Sequence, residues 1–122
     1  MGADLIHFEI PADDVSALTE FYTKTLHWTI NPSASGLEGY HSVETSDGPG
    51  VSGGLYERKS ADQKPLNYFK VDNLDIVLAA VEKNGGKLAD PKSAIKGIGY
   101  YAVCLDPEGN AFGLWEDNTD AE

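Results

Sequence analysis

Hydrophobic and polar residues along the chain follow the same order of spacings twice. Residues 5–10 and 66–71 are rich in aromatic and β-branched side chains, which predicts a β-strand over each segment. Each predicted strand leads to a pair of helix-capping residues, Asp13-Asp14 in the first case and Asp72-Asn73 in the second. The side-chain oxygens of such residues accept hydrogen bonds from the free N–H groups of a helix start. The pattern therefore predicts two strand–helix units.

Apolar residues at helical spacing follow each cap. They are Val15, Leu18, Phe21 and Tyr22 in the first helix, and Leu74, Val77, Leu78 and Val81 in the second. The first helix is predicted to end near Thr25-Leu26, ahead of a short strand around residues 28–30. The second is predicted to end at Asn84-Gly85-Gly86, because glycine adopts the left-handed conformation common at helix C-termini.

The end of each half carries an internal repeat. GYHSV at residues 39–43 matches GYYAV at residues 99–103, and GLYE at residues 54–57 matches GLWE at residues 113–116. Clusters of Gly, Pro and Asp separate the two matches within each half, which indicates hairpin turns between strands. Each half is therefore predicted to run strand, helix and then three more strands.

The two copies are expected to form one domain of 122 residues. Module one covers about residues 4–58 and module two about residues 64–116, followed by an acidic tail over residues 117–122 that we expect to be solvated. Glu57 and Glu116 end their strands and are expected to face solvent.

The charge balance narrows the classes of partner. The net charge of −11 disfavours nucleic acid and anionic membrane surfaces, because both would repel the chain. High acidity keeps a protein soluble, and it would also attract a cationic ligand.

Cysteine content and the chain start bear on location. The single cysteine, Cys104, excludes an internal disulfide, and its place in an alternating strand favours a core residue over a nucleophile. The N-terminal residues lack the basic start and apolar stretch of a signal peptide, and no apolar run approaches the ~20 residues that span a bilayer. We therefore expect a cytoplasmic protein.

Several segments, in the right order, resemble the vicinal oxygen chelate superfamily of glyoxalase, bleomycin-resistance and dioxygenase-like proteins. They are IHF at residues 6–8, FYTKTLHW at 21–28 with His27 where glycine is common, NGGK at 84–87, and DPEGNAFGLWE at 106–116. The resemblance implies an α+β fold in which two βαβββ modules form a cupped mixed sheet with helices on the outer face. It also implies a homodimer.

The metal-dependent members of this superfamily take one ligand from the first and one from the last strand of each module. The corresponding positions here are His7, Gly54, Leu66 and Gly113. Only His7 has a side chain that can bind a metal, so the resemblance implies no cofactor at this site and a divalent metal is disfavoured. The two glycines would widen the cavity floor and let a ligand approach the backbone, or would mark bulges.

Candidate site residues follow from strand alternation. His7 and Glu9 share one side of the first strand, where they could act as acid–base groups, or His7 could be a partly buried, hydrogen-bonded histidine. The candidate ligand-binding residues are Tyr56, Tyr68, Lys70, Tyr101 and Trp115. Aromatic walls with a few polar groups are typical of small-molecule sites, although the same rings would also fit a core or a dimer interface.

Three hypotheses on function remain open. The first is a small-molecule-binding protein that lacks the full metal site and sequesters a cationic or aromatic compound. The second is a lyase or dioxygenase-like enzyme that uses His7 as an acid–base group, or as a metal ligand together with Glu9 or His41. The third is an interaction module in which the cavity is filled.

Overall fold

A computed structural model describes residues 2–32 and 39–122, and these residues form two helices and eight strands. In chain order the elements are β1 (Asp4–Ala12), α1 (Val15–Leu26), β2 (Thr29–Pro32), β3 (Tyr40–Glu44), β4 (Gly53–Glu57), β5 (Leu66–Lys70), α2 (Leu74–Lys83), β6 (Lys87–Ile95), β7 (Gly99–Leu105) and β8 (Ala111–Asp117). The order strand, helix and three strands occurs twice. The predicted α+β class with two βαβββ modules is confirmed.

The chain forms two compact units, and each is described here by itself. One runs from His7 to Leu66, and the other comprises Asn67–Glu122 together with the start of β1 up to Ile6. Apart from the start of β1 and the beginning of β5, these units correspond to module one and module two, and those names are kept. Their folding as a single domain stays a prediction.

The four strands of module one lie in the order β2-β3-β4-β1. β1 pairs with β4 in parallel, and the other two pairs are antiparallel. Ala12, Val43 and Leu55 form the buried core, and side chains of α1 such as Val15 and Leu18 pack against them. The helix therefore covers one face of this mixed sheet. Phe21, predicted to belong to the apolar side of the helix, is 53% exposed and contacts only the edge of the Tyr22 ring among its aromatic neighbours in the described residues.

Module two repeats the arrangement with the order β5-β8-β7-β6, where β5 and β8 are parallel. Its buried core contains Val71, Leu74, Ala102, Cys104 and Leu114. Cys104 is fully buried, and burial raises the pKa of its thiol, which keeps the reactive thiolate scarce. The prediction that Cys104 is a core residue is confirmed.

Both helices begin at the predicted caps. Asp14 accepts a hydrogen bond from the Ala17 amide at 3.0 Å, and Asn73 accepts one from the Ile76 amide at 3.1 Å. In module two, Glu116 Oε1 also accepts from the Leu74 amide at 2.8 Å. The expectation that Glu116 faces solvent is therefore wrong: its carboxylate satisfies a free N–H at the helix start, where negative charge is also favourable.

The backbone of the residues after β8 pairs with the turn between β6 and β7. The Asn118 amide donates to the Ile98 carbonyl and the Gly97 amide donates to the Ala121 carbonyl, both at 2.9 Å. Ala121 is 2% exposed. The polar side chains of Asp117, Thr119, Asp120 and Glu122 are nevertheless exposed. Composition alone does not reveal that the β6–β7 turn offers backbone groups for the tail to pair with.

Within the parts of the chain that the structure describes, neither helix is long and apolar enough to cross a membrane.

The end of α1 generates a stability prediction. His27 adopts a left-handed conformation with φ of 59°, which costs a residue with a Cβ about 1 kcal/mol or more. Replacing His27 by Gly should raise the free energy of unfolding by about 1 kcal/mol relative to His27→Ala, since both remove the imidazole but only Gly relieves the backbone. Equilibrium urea unfolding measures the difference. Equal stability of the two variants would contradict the assignment of strain to the backbone.

Candidate functional site

The side chains of the module-one strands alternate between the two faces of the sheet. Leu55 is fully buried beneath α1, so its neighbours Gly54 and Tyr56 face the opposite side of the sheet. His7 and Glu9 on β1 lie on that opposite side as well, because Phe8 between them packs into the core beneath α1. We call this surface the helix-free face of module one.

Three polar side chains meet on the helix-free face. His7 Nε2 lies 2.7 Å from the Tyr40 hydroxyl oxygen, and that hydroxyl donates to Glu9 Oε2 at 2.9 Å. His7 Nε2 is also 3.4 Å from Glu9 Oε2. The side chains of His7 and Glu9 remain 31% and 20% exposed. Two of the three, His7 and Glu9, are the predicted acid–base candidates, and the structure brings them together through Tyr40.

The positions of the protons follow from this geometry. A phenol has one proton, and Tyr40 directs its proton to the Glu9 carboxylate. The short contact with His7 is then satisfied when Nε2 carries a hydrogen and donates to the phenol oxygen. Burial, with the Glu9 charge second, raises the pKa of Tyr40 far above its ordinary value. The phenol therefore keeps its proton under physiological conditions.

Gly54 makes this arrangement possible. A Cβ at position 54 would overlap the hydroxyl oxygen and ring of Tyr40, so the tyrosine occupies the volume that a side chain would need. Gly54 pairs with Glu9 on one side and Ser42 on the other. The expectation that Gly54 widens a cavity floor is wrong, because Tyr40 fills the space.

In module two, too, a tyrosine ring occupies the space next to a strand glycine. A Cβ at position 113 would overlap the ring of Tyr68, its direct partner across the β5–β8 pair. Only 7% of Tyr68 is exposed. This predicted ligand-binding residue therefore offers a ligand little surface, and Gly113 no more opens a cavity than Gly54 does.

Two further predicted ligand-binding residues of module two, Lys70 and Trp115, contact Asp117. Lys70 Nζ forms an ion pair with Asp117 Oδ2 at 2.8 Å, and the Trp115 indole N–H donates to Asp117 Oδ1 at 2.6 Å. The hydrogen bond with Lys70 lowers the pKa of Asp117 and raises that of Lys70. Tyr101 is the cross-strand partner of Trp115. Lys70, Trp115 and Asp117 therefore form one charged and aromatic cluster on β5 and β8, and Tyr101 lies across from Trp115 on β7.

The residues present do not fit a metal of the family type. Of the four family positions only His7 has a donor, and its Nε2 is engaged with Tyr40. His41 cannot help, because it pairs with Leu55 and belongs to the side of the sheet that faces α1. In residues 2–32 and 39–122, no group of three or more His, Cys, Asp or Glu side chains is placed to hold an ion. The idea that His7 and His41 share a metal is wrong.

Sequence reasoning missed Tyr40 and Asp117. Tyr40 lies 33 residues from His7, and only the β3–β4 register, which pairs it with Tyr56, places it on the helix-free face. Asp117 falls in the predicted tail, but it lies two residues beyond Trp115 and therefore on the same face of β8 as Trp115. That alternation was the available signal.

Comparison with known proteins agrees with the fold and with the sequence motifs. The profile of the Glyoxalase/Bleomycin resistance protein/Dioxygenase superfamily matches residues 4–114, and the chain belongs to this superfamily. The resemblance found in the sequence is thereby confirmed.

The individual relatives have low sequence identity to this chain. A glyoxylase-like domain-containing protein of Didymella fabae is 32% identical and aligns with 87% of this chain and 88% of its own. The anthracycline biosynthesis protein DnrV of Streptomyces peucetius is 27% identical over 88% of this chain. This chain spans 45% of the length of DnrV, so activities of that whole protein do not transfer directly. A superfamily member from Vibrio splendidus shares the fold, with a TM-score of 0.68 and 14% identity over 95% of this chain and all of its own.

The contact between Gly54 and Tyr40 yields a second prediction. Gly54→Ala should lower the free energy of unfolding by about 3 kcal/mol, because the new methyl group displaces Tyr40 from His7 and Glu9 or strains the strand. Chemical denaturation measures the change. Gly48→Ala is a matched control, since nothing lies within 4 Å of its added Cβ. The double variant Tyr40→Ala/Gly54→Ala should lose less stability than the sum of its single changes, and strict additivity would contradict the clash.

The Asp117 cluster yields a prediction on pH. The folded protein holds the pKa of Asp117 below its ordinary value of 3.8, so ionised Asp117 stabilises the fold at pH above that value. The contribution should fade as pH falls through the lower folded-state pKa. The stability difference between the native protein and Asp117→Asn should therefore shrink on acidification below pH 3.8. Denaturant unfolding from pH 6 to pH 2.5 tests this, and in a Lys70→Met background most of the pH dependence should vanish.

Proposed function

We propose that the chain is a binding protein of the superfamily that holds a small molecule without a protein-chelated metal. One observation carries the proposal: the Tyr40 hydroxyl fills the space above Gly54 and engages both His7 and Glu9. The only side chain at a family ligand position that could bind a metal is thus committed to a hydrogen bond. The remaining family positions carry two glycines and a leucine.

The bound compound is proposed to be aromatic, cationic or both. Trp115 and Tyr101 are cross-strand partners on β8 and β7, and the net charge of −11 attracts cations. In module one, Tyr56 pairs with Tyr40 beside the partly exposed carboxylate of Glu9. The name of one relative concerns anthracycline biosynthesis, and anthracyclines combine a planar aromatic system with a basic amino sugar. This compound class suits both features.

An enzymatic role is the second candidate, and the His7–Tyr40–Glu9 chain favours it. A phenol placed between an imidazole and a carboxylate can pass a proton from one to the other, and both end groups are partly exposed. Under this alternative Tyr40→Phe should stop turnover while leaving ligand affinity largely intact. Under the binding proposal no turnover exists to be lost.

The proposal includes a cytoplasmic location and a homodimer. A buried, free Cys104 suits a reducing compartment. Exposed apolar side chains on the helices, such as Ile76 at 67% and Phe21 at 53%, would gain from burial in a dimer. Analytical ultracentrifugation tests the dimer.

Ligand binding is tested with daunorubicin as the probe, by calorimetry and by quenching of tryptophan fluorescence. We expect saturable binding that Trp115→Leu weakens about tenfold through loss of ring stacking. Phe21→Leu is the control outside the cluster, and its oligomeric state is first shown by ultracentrifugation to equal that of the native protein. Quenching that does not saturate, or equal affinity in both variants, would contradict the assignment of Trp115.

Metal analysis tests the other half of the proposal. The purified protein is incubated with nickel, zinc, manganese or ferrous ions, desalted and analysed for metal content. We expect retention far below one ion per chain, because His7 and Glu9 provide only two donor groups and both bond to Tyr40. Stoichiometric retention that is lost in His7→Ala would instead support the lyase or dioxygenase-like alternative.

A further inference from the structure

The two tryptophans of the chain have different ring neighbours. Trp28 in module one stacks on Tyr22 with ring centroids 4.7 Å apart, and the Phe8 ring lies 5.7 Å away. Trp115 in module two contacts no other aromatic ring within residues 2–32 and 39–122. It is also only partly buried. Trp115 therefore has ring surface on which a further aromatic group can stack.

The Trp115 ring lies over a glycine of the neighbouring strand. A Cβ at position 99 would overlap Cζ2 and Cη2 of Trp115, so the benzene ring of the indole occupies the space over the Gly99 backbone. Gly99 is buried and pairs with Asp117 across β7 and β8, whereas Trp115 itself pairs with Tyr101. The indole therefore extends along the sheet from its own position toward the Gly99–Asp117 pair.

The pyrrole edge of the same indole is held by Asp117. The indole N–H donates to Asp117 Oδ1 at 2.6 Å, and Lys70 Nζ contacts Asp117 Oδ2 at 2.8 Å. Each carboxylate oxygen thus has its own partner, and hydrogen bonds to an ionised group are stronger than neutral ones. With Gly99 under one end of the indole and Asp117 at the other, rotation of the Trp115 side chain would break at least one contact.

Module one lacks this arrangement at the equivalent positions. By the internal repeat, Gly39 corresponds to Gly99, and Arg58 corresponds to Asp117. A Cβ at Gly39 would meet nothing within 4 Å, so no ring covers that glycine. Arg58 donates to Asp13 Oδ1 at 2.9 Å instead. Because module one forms the same fold without a fixed ring at this place, the fold does not require the one in module two.

Resting on the proposed function, we infer that Gly99 and Asp117 position Trp115 as a fixed stacking surface for a planar aromatic ligand. A ring that is already immobile loses little conformational freedom when a ligand binds, and this increases affinity. Planar rings stack on an indole in an offset arrangement. Lys70 and Asp117 compensate each other's charge, so the stacking surface itself has no preference for a cation. The compound class is thereby narrowed from aromatic or cationic to planar aromatic.

The probe is uncharged 2-naphthol, and decahydro-2-naphthol is the matched ligand control, with the same carbon skeleton and hydroxyl but no planar ring. The full chain is titrated and observed by NMR through the indole N–H signals of Trp115 and Trp28. We expect saturable shifts at Trp115 but not at Trp28, and about tenfold weaker binding of the control ligand. Equal shifts at both indoles, a response that does not saturate, or equal affinity for the two ligands would overturn the inference.

Variants of Asp117 test its positioning role. Asp117→Leu and Asp117→Ala remove the acceptor of the indole N–H, so the affinity for 2-naphthol should fall about fivefold. Asp117→Asn retains an oxygen that can accept, and it should keep most of the affinity. Asp120→Leu is the control, because it removes the same charge from an exposed residue nearby.

The order parameter of the Trp115 indole N–H provides a readout that a change in stability alone does not move. It should fall in Asp117→Leu and Asp117→Ala, stay high in Asp117→Asn and Asp120→Leu, and remain unchanged for Trp28 in all four variants. An indole that stays ordered without the carboxylate, or 2-naphthol affinity that is the same in every variant, would overturn the role of Asp117.

Daunorubicin distinguishes failure of this inference from failure of the proposed function. Daunorubicin binding that is equally strong in Asp117→Leu would leave the proposed function standing and overturn the positioning role. Binding of 2-naphthol at Trp115 without binding of daunorubicin would support the stacking surface and contradict the anthracycline-like compound class. A protein that binds neither compound would overturn both.

Discussion

The burial of one leucine in each module determines which side chains of β4 and β8 lie on the face of the sheet that has no helix. Leu55 and Leu114 are 0% and 3% exposed beneath their helices, and the side chains of a strand alternate between its two faces. Their burial therefore sends Gly54 and Tyr56, and in the second copy Gly113 and Trp115, to the side without a helix. A slip of one residue would exchange every one of these positions with a core position. The chemistry available to each module thus depends on a packing interaction that takes no part in it.

The two modules then use the glycine next to each leucine in the same way. Related metal-binding proteins place a ligand at this position, whereas here an aromatic ring lies over it, Tyr40 above Gly54 and Tyr68 above Gly113. The rings come from different strands, β3 in one copy and β5 in the other. A side chain at position 54 or 113 and the ring that now covers it are therefore mutually exclusive, because the added Cβ would overlap that ring. The space above the glycine is thus filled in both modules, by a ring from a different strand in each.

Much of the fold could be predicted from the sequence because the signals were local. The caps Asp14 and Asn73 and the glycines at residues 85 and 86 act within one helical turn, and the repeats fixed the order of elements. The site was predicted only in part. His7 and Glu9 share a strand, so alternation sufficed, but Tyr40 joins them through strand pairing 31 and 33 residues away. Glu116 illustrates the same limit, because its role as a helix cap depends on a contact across 42 residues.

The distribution of the two tryptophans gives each module its own spectroscopic reporter. Trp28 stacks on Tyr22 at 4.7 Å in module one, in an aromatic, apolar setting, whereas the Trp115 indole donates to a carboxylate in module two. Carboxylates quench indole emission and apolar contacts shift it to shorter wavelengths, so the two signals should differ in colour and brightness. Their melting curves would coincide if both halves lose structure in one cooperative step and separate if one half opens first. Tryptophan fluorescence of the unlabelled protein can therefore show whether the two modules unfold together or one after the other.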